Sequence, residues 1–170
     1  MKRFLPLFIA TITLGAGCSA NVDQPASSSN ATQSVFCLDI NEVVGTTVSE
    51  LNLSGKGLTS IPMDVFSRTN LLKLDLSQNE LTGAPQSQIG QLKNLTTLNL
   101  SKNNLTGLPA ELGQLSKLEV LNVSNNKLTG LPMELGNLTK LRILDISGNP
   151  YSAQDLQTIA AKIPNATIIK

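Results

Sequence analysis

The sequence predicts an α/β solenoid, a stack of like coils with one parallel β-sheet running through it. Three observations predict it. First, five segments repeat one pattern, beginning at Val48 (VSELNLSGKGL), Leu71 (LLKLDLSQNEL), Leu95 (LTTLNLSKNNL), Leu118 (LEVLNVSNNKL) and Leu141 (LRILDISGNPY), and their starts are separated by 23, 24, 23 and 23 residues. A near-constant pitch of that size marks stacked repeats. Second, aliphatic and polar residues alternate within each segment, as at Leu98 and Leu100, which suits a strand buried on one face. Third, four of the five segments end in the same polar turn, with Asn at 79, 103, 126 and 149.

The elements follow from the N-terminus. Met1-Lys2-Arg3 carries positive charge, Phe4 to Leu14 is an apolar run of eleven residues, and Gly15-Ala16-Gly17-Cys18 is a small-residue stretch. That is the layout of a signal peptide over residues 1–17. An eleven-residue helix rises only about 16 Å, well short of the roughly 30 Å hydrocarbon core of a bilayer, so removal rather than anchoring is expected. Small residues before a Cys resemble the lipobox of bacterial lipoproteins, which implies acylation of Cys18, membrane attachment through the lipid and, with Ser19 next, transfer to the outer membrane on its periplasmic or cell-surface side. The residues leave open ordinary export to the periplasm or medium, with cleavage after Ala20. Residues 18–34 are small and polar and read as a flexible tether. The cluster at 35–46, with Val35, Phe36, Cys37, Leu38, Ile40, Val43 and Val44, reads as an N-terminal cap in which Cys37 is a buried apolar residue. A Cys18–Cys37 disulfide stays open should Cys18 be neither acylated nor removed.

Residues 47–151 hold the five repeats. The outer half of a unit is L-T-G-L-P-x-E-L-G-x-L, at Leu105 to Leu115 and Leu128 to Leu138. Pro109 or Pro132 sets its turn, and Leu112 with Leu115, or Leu135 with Leu138, points a short helical face inward. The one extra residue lies between Pro85 and Ile89, outside the strand-like part. No unit buries enough to stand alone, so stability must come from neighbours and the open ends need caps. Residues 152–170 supply one: Ser152 to Asp155 resembles a capping box, Leu156, Ile159, Ala160 and Ile163 follow at helical spacing, Pro164-Asn165 closes the helix, and Thr167 to Lys170 forms a last strand. The first unit departs from the pattern at Lys56, where Asn is expected, and at Phe66, where later units have Gly.

The segments match L-x-x-L-x-L-x-x-N-x-L and resemble the leucine-rich repeat family over about residues 47–170. The resemblance implies a right-handed superhelix with a parallel sheet on its concave face, short helical or 3-10 segments on its convex face, and a buried ladder in which Asn79, Asn103, Asn126 and Asn149 bond the backbone of adjacent coils. It implies recognition of a protein or peptide rather than catalysis.

Composition narrows the function. Lys plus Arg is 13 against Asp plus Glu at 12, so the formal charge of +1 exerts no general pull on nucleic acid. His and Trp are absent and there are two Cys, which removes imidazole bases, Ser-His and Cys-His nucleophiles and His-rich or multi-thiolate zinc sites. Asp75 and Asp145 share a repeat position but lie about 14 Å apart across three strands, too far for a glycosidase pair. No catalytic residue, cofactor or metal is assigned. Asn-x-Ser at Asn52, Asn99 and Asn122 is read as strand grammar, not glycosylation. The candidate partner-binding residues are outward positions of the concave sheet: Lys73, Asp75, Thr97, Asn99, Val120, Asn122, Ile143, Asp145 and Ile169. Only the first row (Glu50, Lys73, Thr97, Val120, Ile143) varies, grading from charged to apolar, and Ile169 is expected to extend its apolar end. An envelope protein binding polysaccharide or cell-wall polymer is the alternative, weakened by the lack of Trp and the single Tyr, Tyr151.

Overall fold

The structure is a computed structural model that describes residues 49–170. Cys18, the tether, the 35–46 cap and Cys37 lie outside the described residues. The repeats become short strands: β1 (Glu50–Asn52), β2 (Lys73–Asp75), β3 (Thr82–Gly83), β4 (Thr97–Asn99), β5 (Asn104–Leu105), β6 (Val120–Asn122), β7 (Ile143–Asp145) and β8 (Thr167–Ile169). Six of them form one parallel sheet in the order β1-β2-β4-β6-β7-β8, and β3 pairs β5 in a two-stranded parallel sheet just past the strand exits. The second sheet is not evident in the sequence. In the main sheet Leu51, Leu74, Leu98, Leu121, Leu144 and Ile168 stand in register.

Alternation explains why each strand of the main sheet is only three residues long. The central Leu turns inward and its two neighbours turn outward, and the next inward residue (Leu76, Leu100, Val123 or Ile146) is already at the exit yet fully buried. Opposite the sheet, 3-10 turns run over Met63–Ser67, Ser87–Gln91, Ala110–Gln114 and Met133–Asn137. The residue before each is extended, with φ between −59° and −74°, a range in which Pro62, Pro109 and Pro132 are at ease. In the 24-residue unit Gln86 takes that place, inserted after Pro85, and its side-chain amide donates to the Ile61 carbonyl at 3.1 Å. The extra residue is thus absorbed at the convex corner and leaves the sheet register intact.

Coils also approach closely on the convex side, where a Cβ on Gly113 would collide with the backbone carbonyl of Glu134 and one on Gly90 would lie 2.9 Å from the Glu111 carbonyl oxygen. Phe66 occupies this phase in the first unit, is buried, and holds its turn farther from the next. At the strand exits Gly55, Gln78, Lys102, Asn125 and Gly148 share one phase and all have φ between 54° and 68°. Every coil therefore makes its exit through a left-handed residue, whatever side chain it carries.

The ladder is present and its wiring is specific. The Asn103 Nδ2 donates to the carbonyls of Leu76 (3.0 Å), Leu100 (3.0 Å) and Ser101 (3.2 Å), while its Oδ1 accepts the Leu81 N–H at 3.1 Å. Asn79, Asn126 and Asn149 repeat the arrangement. Each interior carbonyl is shared: Leu76 O accepts from Asn79 and Asn103, Leu100 O from Asn103 and Asn126, and Val123 O from Asn126 and Asn149. Asn79, Asn103 and Asn126 are buried, whereas Asn149 at the C-terminal end is only partly so. At the first unit Lys56 offers no rung, and its backbone N–H is taken by Asn79 Oδ1 at 2.9 Å.

The cap helix α1 spans Ala153–Lys162, with Leu156, Ile159 and Ile163 buried against the last unit. Ser152 Oγ accepts the Asp155 N–H at 3.3 Å, so one half of the expected capping box is made. The reciprocal half is replaced: Asp155 Oδ2 accepts the Leu131 N–H at 3.2 Å and ties the helix start to the preceding coil. Beyond the helix β8 pairs with β7 and closes the sheet.

Candidate functional site

The strand-lined face carries two outward rows. The first runs Glu50, Lys73, Thr97, Val120, Ile143 and Thr167, and the second runs Asn52, Asp75, Asn99, Asn122, Asp145 and Ile169. Ile169 is therefore misplaced by the sequence reading: it stands beside Asp145 in the second row, and Thr167 holds the place in line with Val120 and Ile143. Both rows face the same side, so alternation alone does not separate them; pairing of Ile168 with Leu144 does.

The second row is constrained from beneath. The Oδ1 atoms of Asn52, Asp75, Asn99, Asn122 and Asp145 each accept the backbone N–H of the Ser two residues on, at 2.9 to 3.1 Å. Asn52, Asn122 and Asp145 accept the Ser hydroxyl as well. This turn explains the uniform Asn/Asp-x-Ser: the short side chain caps the strand exit, and one polar atom of each group remains turned to the open face. The signal was the invariance of the row, which close strand packing alone does not require.

The first row has chemistry that differs along its length. Lys73 Nζ and Glu50 Oε1 lie 2.7 Å apart as an exposed ion pair across β1 and β2, a contact foreshadowed by opposite charges at one repeat phase. Around them Asn52, Asp75, Thr97 and Asn99 line a shallow depression of about 310 Å³ floored by Leu51 and Leu74. Toward the other end Val120 is half-buried, and Ile143 and Ile169 are 39% and 44% exposed. The face is thus an acidic-polar hollow at β1–β4 and an aliphatic platform at β6–β8. The candidate residues from Lys73 to Asp145 lie on this one surface. Asp75 and Asp145 are three strands apart in the sheet, as the spacing predicts.

Among the described residues no group of three or more His, Cys, Asp and Glu is placed to hold a metal ion, and no helix is long and apolar enough to cross a membrane. A second concavity, about 390 Å³, lies between α1 and β8 and is lined by Tyr151, Leu156, Ala160 and Ile168 with Gln157 and Lys170 at its rim.

Comparison with known proteins agrees with this geometry. A family model described as leucine rich repeat matches residues 46–105 and 93–150. A leucine-rich repeat protein of Leptospira interrogans is 40% identical, with a TM-score of 0.62, over 66% of this chain and 28% of that one. The leucine-rich repeat ectodomain of the Arabidopsis thaliana receptor kinase GASSHO1/SCHENGEN3, solved in complex with Casparian strip integrity factor 2, is 38% identical over 71% of this chain and 15% of its own length, with a TM-score of 0.60. The ectodomain of the Arabidopsis thaliana receptor kinase SOBIR1 is 30% identical over 70% of this chain and 66% of that one, with a TM-score of 0.57. The chain spans about a quarter of the length of the Leptospira relative and less of the GASSHO1/SCHENGEN3 ectodomain. A search of characterised proteins found no significant match.

Proposed function

The chain belongs to the leucine-rich repeat family, and on that premise we propose that it is a non-enzymatic recognition module that holds a protein or peptide against its strand-lined face. The observation that carries this reading is the division of labour between the two rows. The second row is pinned by its own backbone at every repeat, which fixes a rigid floor. The first row is free to vary and does vary, from the Glu50–Lys73 pair to Val120 and Ile143. A pre-organised floor lowers the ordering cost of binding, and a graded row supplies selectivity. That the GASSHO1/SCHENGEN3 ectodomain is solved in complex with Casparian strip integrity factor 2 supports a binding role for the fold, though fold alone does not choose a partner.

The test is affinity capture from envelope extract with the domain as bait. The combined variant Lys73→Ala, Val120→Ala, Ile143→Ala is expected to lose the captured partner while its circular dichroism spectrum is unchanged; undiminished capture excludes this face. The proposal includes export and attachment to the outer membrane through acylated Cys18, supported by the basic start, apolar run and small residues before that Cys. An acyl increment in the intact mass, absent in Cys18→Ala, is the expected result, and an unmodified mature mass overturns it.

A further inference from the structure

We propose that the C-terminal half of the strand-lined face seats a basic side chain of an extended peptide, its charged head on Asp145 and its methylenes across Ile143 and Ile169. The inference rests on the recognition reading above and deepens it. Of the two carboxylates in the second row, Asp75 stands beside Lys73, itself paired with Glu50, in a hollow whose aliphatic floor is the half-buried Leu51 and the buried Leu74. Asp145 stands elsewhere. Its row neighbours are Asn122 and Ile169, and Ile143 precedes it on the same face of the same strand.

The Asp145 carboxylate is held still. Its Oδ1 accepts the Ser147 N–H at 3.1 Å and the Ser147 hydroxyl at 2.7 Å, and Oδ2 has no hydrogen-bond partner among the described residues. Arg142, the nearest cation in sequence, is instead 3.8 Å from Glu119. Ile143 and Ile169 are among the few large aliphatics exposed on the described surface, and both are here. A fixed anion bordered by exposed aliphatics complements one kind of side chain: a long apolar stem with a cationic end, as in Lys or Arg. Charge points the same way. Glu50, Lys73, Asp75 and Asp145 are the ionisable residues of the two rows, which makes the face net acidic.

The repeat itself supplies the controlled substitution. Asn stands at the position of Asp145 in three other coils and accepts the same Ser N–H in each, so Asp145→Asn removes the charge and keeps the turn. The experiment selects binders from a phage-displayed library of random 12-residue peptides on the full domain. Each enriched peptide is then resynthesised and titrated against wild type, Asp145→Asn, Asp75→Asn and Val120→Arg, the last of which places on the face a bulky charge of the same sign as the peptide's. The expected result is enrichment of Lys or Arg flanked by apolar residues, with affinity reduced about tenfold or more by Asp145→Asn and by Val120→Arg, and less than about twofold by Asp75→Asn. Peptides lost on Val120→Arg but indifferent to Asp145→Asn overturn this subsite and leave the recognition reading standing. Peptides indifferent to every one of these substitutions, or no enrichment at all, overturn both.

Discussion

Replacing Asn103 by Ala tests how the coils are joined. The side chain makes four bonds, but their losses are unequal because most of its partners are shared. The Leu81 N–H has no other acceptor among the described residues, so it is left bare in a buried site, at a cost of about 1–3 kcal/mol. The Leu76 carbonyl keeps Asn79 and the Leu100 carbonyl keeps Asn126, so each loses one bond of two, about 0.5–1.5 kcal/mol apiece. The Ser101 carbonyl still accepts the Gln78 N–H at 3.0 Å. The expected destabilisation is about 2–6 kcal/mol, a large part of the roughly 5–15 kcal/mol that holds an ordinary domain folded. Urea unfolding followed by circular dichroism measures it. Asn99→Ala, which removes only the cap on the Ser101 N–H, is the paired control and is expected to cost about 1 kcal/mol. Asn103→Asp separates donors from acceptor: it keeps an oxygen for Leu81 but sets a carboxylate against three carbonyls, so it should be at least as harmful as Ala. An Asn103→Ala midpoint within error of Asn99→Ala, or a well-tolerated Asn103→Asp, would refute the shared-rung account.

Four further outcomes follow from the packing. Gly113→Ala drives a methyl group into the Glu134 backbone and should cost about 1–3 kcal/mol; an unchanged melting temperature would show that the convex turns have slack. Lys102→Gly relieves a left-handed residue with φ of 54° and should raise stability by roughly 0.5–1 kcal/mol, with a lower urea midpoint as the contrary result. Asp155→Ala removes the acceptor for the Leu131 N–H at about 1–2 kcal/mol, and hydrogen exchange at the Leu131 amide should be faster than in the unsubstituted protein. Lys73→Ala breaks an exposed ion pair and should shift stability by less than about 1 kcal/mol, so any larger loss of partner capture by this variant reports on binding.

The strands, their register and the Asn ladder were legible because burial enforces them: a Leu moved by one position would leave the core for solvent, and an Asn elsewhere would leave backbone groups unpaired. The cap helix was legible for the same reason, through Leu156, Ile159 and Ile163. Features that rest on polar side chains between coils were not. Asp155 fits a local capping box and a bond to Leu131 equally well by sequence, since nothing in the spacing says how near the previous coil passes. The left-handed exit was disguised because Gly marks only its first and last occurrences, while Gln78, Lys102 and Asn125 adopt the same φ under the pull of their neighbours. The place of Ile169 was legible but misassigned: Ile168 lies 24 residues after Leu144, which sets Ile169 level with Asp145 rather than in line with Ile143. Of the candidate site, membership of the face was readable and its relief was not: the hollow at Glu50 to Asn99 depends on the Lys73–Glu50 contact across strands.

Gln86 shows where this architecture admits change. One surplus residue at the convex corner leaves every carbonyl, amide and Leu on the opposite side in step, whereas one surplus residue between a Leu and its Asn would break two junctions at once. Growth of such a chain is therefore coarse-grained on one flank and continuous on the other. Whole turns can be duplicated or deleted without retuning the joints, and fine adjustments of length gather along the outer bend, away from the surface that meets a partner.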